Sequence, residues 1–500
     1  MPAGPAHGNL SVALRLTVLL LGLLWLLVYV PAAQLDAEAR AQDALYARGD
    51  SPFRWNFSDA DALAGPALGA QRLDRARGAA AALRIAMPNG DANLGLRLSG
   101  RRVDPTALPR LRLTMRSERP LQWRLAAASD LKPEVPAGPW MPWPPASAVG
   151  SGREVPADAQ PEFFETDLSS VLPPLDAPLV QLRLQLKGER GQVVELQSLS
   201  LHPACAAAQC QPKRVELPQH LLPSQLLAAR DAALLDHPQA RVGGQAPEWL
   251  VRAMQAMHAL NHWHAAAIAA LLVLICALGA RLLSMPAQRA FALLIGAGLP
   301  ILLLSLGLPR FPPQAADLVL IVGWVTALWW LRPAGALSLG AAELRPEQVA
   351  RLIGSRRAWR SALVITAAGL VLLALLSVLG SGPGQEGLQA ERSGRYLAWA
   401  ALQQVWLALF LLPHLREPGK DAQTAALAGL LFAALHLPNA ELMALCLIGG
   451  WAWSRIALKH GSLLPQILSH AALGLAASAL LPQSVLRSLE VGGRYVFAPL

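Results

Sequence analysis

Two kinds of hydrophobic pattern alternate in blocks along this chain. The first block, Leu16 to Ala33, is almost wholly apolar and lies between Arg15 and the acids Asp36 and Glu38. At about 18 residues it is long enough to span a bilayer as a helix. A signal peptide, with Ala32 and Ala33 as the small residues of a cleavage site, is the other reading. Residues 1–34 are therefore an N-terminal membrane anchor or signal, with the uncleaved anchor favoured. Both readings export the next segment.

From 35 to 258 the pattern changes. Leu83–Met87, Leu94–Leu98, Leu111–Met115, Val180–Leu186 and Val193–Leu201 alternate apolar and polar residues, the period-2 signature of half-buried strands. Turn chemistry such as Pro88-Asn89-Gly90-Asp91 separates them. A β-sandwich is the natural closure for such strands. The last part, 222–258, reads as helical, with Leu222, Leu226, Leu227, Leu234 and Leu235 on apolar faces. This segment is a β-rich, extracytoplasmic domain with a helical C-terminal part. Its Trp123, Trp140 and Trp143 form either a ligand platform or, as is commoner, core and loop packing.

Beyond 258 the apolar runs lengthen again. They predict spans at about 264–283, 289–308, 316–331, 361–380, 395–413, 423–436, 440–458 and 463–481. The chain then divides into 259–358, membrane helices with a cytoplasmic loop, 359–485, a membrane core, and a tail over 486–500. The fold class expected is a polytopic α-helical membrane protein of about 8–9 spans with an exported β-sandwich-like domain.

Composition agrees, with 54% apolar and only 15% charged residues in 500. Soluble domains carry about 25% charged residues. The formal charge of +10 is not gathered into a dense basic tract, so nucleic acid is not a partner. With the amino terminus inside, the arginine-rich loops near 281–289, 332–360, 414–420 and 455–459 all fall on the cytoplasmic side. The preference for Arg over Lys in an Ala/Leu-rich chain points to a bacterial inner membrane. Cys205 and Cys210 are placed to close a small disulfide loop in an oxidising compartment. Cys276 and Cys446 stand alone in apolar runs and read as packing thiols.

Polar groups inside such spans cost about 2.5–3.5 kcal/mol at a helix centre, which makes them functional candidates. Gln403 and Gln404, His436 and His470 are the ones that stand out. The adjacent glutamines diverge by about 100° around a helix, so one faces a cavity while the other braces it. Gln403 lies about 12 Å and His470 about 16 Å from the outer ends of their spans, with His436 near the outer end of its own. These depths let all three line one outward-opening cavity. The bland reading is interhelical hydrogen bonding. For His258, His262 and His264 interfacial packing is favoured over metal binding, and Trp324, Trp329 and Trp330 read as interface anchors or helix packing.

Phe432…His436-Leu437-Pro438-Asn439, the glycines 449 and 450, and Gly461-Ser462-Leu463 leading to Ser469-His470 resemble the CPBP family of CAAX-protease and bacteriocin-processing intramembrane enzymes. The likeness covers roughly 360–481, making 359–485 a CPBP-like core. The family pattern is EExxxR, then FxxxH, then a histidine followed three or four residues later by Asn or Asp. Here Gln403-Gln404 replaces Glu-Glu, Ala408 stands where the arginine belongs, and Gly474 and its neighbours replace the Asn or Asp. The resemblance implies a hydrolase, an intramembrane endopeptidase acting on a membrane-embedded or lipid-anchored protein substrate at the bilayer. It also implies His436 and His470 as ligands of a divalent metal such as zinc, or as oxyanion donors, with Gln403 and Gln404 orienting water or substrate. A glutamine amide cannot take a proton near neutral pH, so it cannot be the base. Among nearby carboxylates Glu441 is the local candidate; Glu391 and Glu417 lie at least about 18 Å away along a helix, and an imidazole is itself a competent base. Two alternatives stay open: a catalytically inactive scaffold of the same fold, and a membrane sensor or transporter with an extracytoplasmic ligand-binding domain.

Overall fold

The computed structural model describes residues 6–57, 62–65, 67–73, 82–98, 102–117, 119–129, 137–143, 162–172, 178–204, 212–308, 315–331, 352–379, 390–481 and 490–497. Cys205 and Cys210 and most of the 332–360 basic loop lie outside these residues.

The first apolar run does not end at its polar flank. Ala6–Ala47 is one 42-residue helix. Its polar second half is held by charge: Arg40 bonds Asp36 at 2.9 Å and Glu248 at 2.6 and 2.8 Å, and Arg214 reaches Asp36 at 2.8 Å. Ala32 and Ala33 are buried within this continuous helix. The helix packs against Leu250, Val251 and Met254 of the Glu248–His258 helix, and against Leu217, Leu226 and Tyr495.

The alternating segments form two sheets. In chain order the strands are β1 (Arg54–Asn56), β2 (Gln71–Arg72), β3 (Leu83–Met87), β4 (Asp91–Leu96), β5 (Arg110–Ser117), β6 (Leu121–Ser129), β7 (Met141–Trp143), β8 (Glu162–Asp167), β9 (Leu179–Lys187) and β10 (Gln192–His202). One sheet runs β2-β3-β10-β5-β8 with β1 also on β10; the other runs β4-β9-β6-β7. Every pairing in the two is antiparallel. Strands β3, β4, β5 and β9 bury alternate residues, and residues of both sheets meet in one core: Ile85, Leu113 and Val194 from the first, Leu94, Leu125 and Leu184 from the second. The Pro88–Asp91 turn passes from one sheet to the other. Gly90 sits there at φ +84°, a left-handed conformation that glycine adopts without Cβ strain. Trp123 and Trp143 are buried in the shared core and so act as packing. Trp140 lies 4.3 Å from the Arg124 guanidinium, a cation–π contact.

The C-terminal half is helical. Among the described residues six helices are long and apolar enough to cross a membrane: Leu19–Ala47, His262–Leu282, Met285–Ser305, Arg356–Leu379, Tyr396–Leu415 and Ala440–His460. Ala315–Trp330, Asp421–Ala434 and Leu464–Leu480 are apolar but shorter. The chain is a polytopic helical membrane protein. Leu363, Val364, Val371, Leu375, Val378 and Leu379 are exposed on one of these helices, as a lipid-facing surface requires.

Two of the spans contain wide π-helical turns, Leu294–Gly298 and Trp406–Leu411, which the sequence did not announce. A π turn leaves carbonyls out of the regular ladder. Trp406 Nε1 donates to Gly296 O at 2.8 Å and Trp324 Nε1 to Ile295 O at 2.9 Å. A side chain at Gly296 would collide with Phe410, so the two turns interlock. This fixes the helix that carries Gln403 and Gln404.

Candidate active site

The Phe432…His436 run begins in the Asp421–Ala434 helix. Gly429 lets that helix approach the Ala440–His460 helix: a Cβ on it would stand 2.7 Å from Trp451 N. Gly450, facing it, leaves the space that Phe432 fills; a Cβ there would meet Phe432 Cδ1 at 3.0 Å. His436 lies just past the helix, in a turn over 435–438 that ends with Pro438. Asn439 then caps the next helix, its Oδ1 accepting from Leu442 N at 3.0 Å. Its Nδ2 donates to Glu490 O at 3.2 Å, and Gly492 N donates to Leu437 O at 2.7 Å. The tail thus braces the turn that carries His436.

His436 Nδ1 lies 2.9 Å from Phe432 O. A carbonyl only accepts, so Nδ1 carries the proton, and in the neutral ring Nε2 is the acceptor. His470, on the Leu464–Leu480 helix, has the opposite arrangement. Gln404 Nε2 donates to His470 Nδ1 at 3.2 Å, which leaves the proton on its Nε2. Gln404 is fully buried, and among the described residues its Oε1 has no hydrogen-bond partner. One imidazole is therefore set as a base and the other as a donor.

Aromatic rings hold both histidines. Phe432 stands with its centroid 5.2 Å from His436 and 5.6 Å from His470. Trp453 lies 4.5 Å from His470 and edge-on to Phe432 at 6.0 Å. The neighbouring Ser469 fixes the rotation of the His470 helix. Its Oγ accepts from Trp453 Nε1 at 3.1 Å and from Thr366 Oγ1 at 2.8 Å. By contrast the third buried histidine, His414, is hydrogen-bonded at both nitrogens to backbone carbonyls, those of Phe410 and Leu331, and serves as interhelical glue.

Gln403, His436 and His470 all line one cavity of about 810 Å³, largely apolar in its walls. The glutamine pair divides as its angular spacing demands: Gln403 faces the cavity and Gln404 faces His470. Glu441, the carboxylate nearest to His436 in sequence, is not among the lining residues. Glu417 is solvent-exposed and paired with Lys420, and the Glu391 side chain lies outside the described residues. The acid that does line the cavity is Asp317, 1% exposed, in the first turn of the Ala315–Trp330 helix. It was legible as the single charge of an apolar run, but its distance in sequence hid its place here. Tyr396 also lines the cavity, 6.3 Å from His470 between ring centroids, and no sequence motif marked it.

Among the described residues no group of three or more His, Cys, Asp or Glu side chains is placed to hold a metal ion. Catalytic zinc sites use three protein ligands. Here two imidazoles and one neutral amide are at hand, and His470 presents a protonated nitrogen. This donor set falls short of a catalytic zinc site.

The fold and the cavity define a class: a polytopic membrane protein with paired histidines in an apolar chamber between its helices. Residues 395–476 match the family model for Type II CAAX prenyl endopeptidase Rce1-like proteins, which supports a CPBP-family protease. The match takes in Gln403, Gln404, His436 and His470 and leaves out the two-sheet region. No match is found among curated proteins.

Proposed function

We propose that this protein is an intramembrane endopeptidase cutting a membrane-embedded or lipid-anchored protein substrate. In this reading it is a bacterial inner-membrane protein. Residues 35–258 form an extracytoplasmic, sandwich-like domain on an uncleaved anchor, and burial of Ala32 and Ala33 inside a continuous helix supports that anchor. The observation that carries the reading is the pair of imidazoles in one cavity with complementary hydrogen-bonding states.

His436 Nε2 takes a proton from water, and the water oxygen adds to the scissile carbonyl carbon. The carbonyl electron pair moves to oxygen, where His470 Nε2–H donates to it. The C–N bond then breaks, and the imidazolium of His436 returns its proton to the leaving amine. Gln403 orients the water through its amide carbonyl. The apolar walls exclude bulk water and strengthen each of these contacts.

The test uses the full chain in nanodiscs and a panel of internally quenched peptides. Each peptide carries either a farnesylated C-terminal cysteine or a single membrane-spanning segment. Cleavage by wild type and its loss in His436→Ala and His470→Ala is the expected result. Rates for wild type no higher than for the combined His436→Ala/His470→Ala variant across the panel would refute the activity. A non-cleaving scaffold is the second reading, favoured by the neutral Gln403-Gln404 pair; it requires substrate capture by the wild type without new termini.

A further inference from the structure

Gly474 and His470 are four residues apart, one turn along the same face of the Leu464–Leu480 helix, and both line the cavity. The space that a side chain at 474 would take is already filled. A Cβ built there would stand 1.8 Å from the hydroxyl oxygen of Tyr396 and 2.3 Å from Cζ. Tyr396 enters from the Ala390–Val405 helix, seven residues before Gln403 and so on the same face two turns away. Its ring meets His470 edge-on, at 84° between planes. Tyr396 is half-buried and lines the cavity. The phenol is thus pressed into a glycine notch at the cavity wall, one turn beyond the imidazole that donates to the oxyanion.

We propose that Tyr396 is a catalytic hydrogen-bond donor, its O–H binding the developing oxyanion beside His470 Nε2–H. The proposal rests on the peptidase reading above and completes its two-donor oxyanion site. Gly474 is the positioning residue, since any side chain there displaces the hydroxyl. No proton leaves Tyr396 in the cycle: it donates a hydrogen bond when the carbonyl oxygen gains its electron pair, and the bond weakens when the carbonyl re-forms.

Removal of one oxyanion donor lowers kcat by about 10²–10³-fold. The experiment measures kcat and KM on the internally quenched peptide with a single membrane-spanning segment, using the full chain in nanodiscs. Tyr396→Phe, which deletes one oxygen and keeps the ring, is expected to lower kcat about 100-fold. Its KM stays within threefold of wild type and its melting temperature is unchanged. Gly474→Ala is expected to show the same loss in kcat. A Tyr396→Phe variant within threefold of wild type in kcat, while His436→Ala is inactive, overturns the role of Tyr396 and leaves the peptidase standing. A loss confined to KM overturns it as well. Wild type no faster than the His436→Ala/His470→Ala variant overturns both.

Discussion

Replacing Gln404 by leucine separates what this residue does for the fold from what it does for the chemistry. The side chain is fully buried, with one hydrogen bond, to His470 Nδ1 at 3.2 Å, and one orphaned oxygen. Gln404→Leu keeps the volume close and removes both polar ends. Losing the bond and stranding His470 Nδ1 costs about 1–3 kcal/mol. Eliminating the buried, unpartnered Oε1 returns about the same amount. The two offset each other, so the melting temperature should move by no more than about 3 °C. Activity should not be spared, because the bond that holds His470 with its proton on Nε2 has gone. A hydrogen bond worth about 0.5–1.5 kcal/mol corresponds to roughly a 2- to 13-fold fall in kcat/KM. Thermal unfolding by intrinsic fluorescence and peptide cleavage on the same preparation read the two effects. A large drop in melting temperature, or unchanged kcat/KM at unchanged stability, would refute the argument.

Three other outcomes follow from the same geometry. Phe432→Ala removes a fully buried ring that contacts both histidines; it should destabilise by about 3–5 kcal/mol and abolish cleavage, and a variant of wild-type stability would count against the packing described. Outside the membrane, hydrogen bonds from Arg40, and then from Arg252, push the Glu248 carboxyl down to about 2. A depressed carboxylate stabilises the fold above its unfolded value of about 4.5 and loses that contribution as pH falls towards 2. The melting-temperature gap between wild type and Glu248→Gln should therefore narrow below about pH 4.5 and shrink in high salt because the pair is exposed; a gap that widens on acidification would contradict this. Finally, a strong zinc chelator should leave cleavage within about twofold, since no step needs an ion. A tenfold loss restored by zinc would replace the two-histidine mechanism.

The strands were readable because alternate residues are buried on a shared core, and period 2 records that burial directly. Val193–Leu201 falls within β10 and Leu83–Met87 is β3 itself. Long apolar runs marked the membrane helices for a similarly local reason. What stayed hidden depends on partners far away in sequence. The first helix continues through Asp36 and Arg40 because Arg214 and Glu248 satisfy them, and nothing within that run reveals those partners. The Leu294–Gly298 π turn persists because indoles from other segments, Trp324 and Trp406, take its freed carbonyls. At the site, the angular split of Gln403 and Gln404 followed from helix geometry alone. The Tyr396–Gly474 contact joins two helices in three dimensions, so a glycine in place of an Asn or Asp looked like a simple loss. Asp317 was visible as a charge in an apolar run, but only the cavity connects it to His436.

The ionic clasp between Arg40 and Glu248 also bears on how this molecule is put together. It ties the polar second half of the Ala6–Ala47 helix to the start of the Glu248–His258 helix, side chain to side chain at 2.6 Å. The two sheets, within Arg54–His202, are therefore hung between these helices like an insertion in a loop, while Arg214, Leu217 and Leu226 stay with the first helix. The membrane block is in this sense a chassis. Different modules can be mounted on it while the chamber that contains His436 and His470 stays as it is.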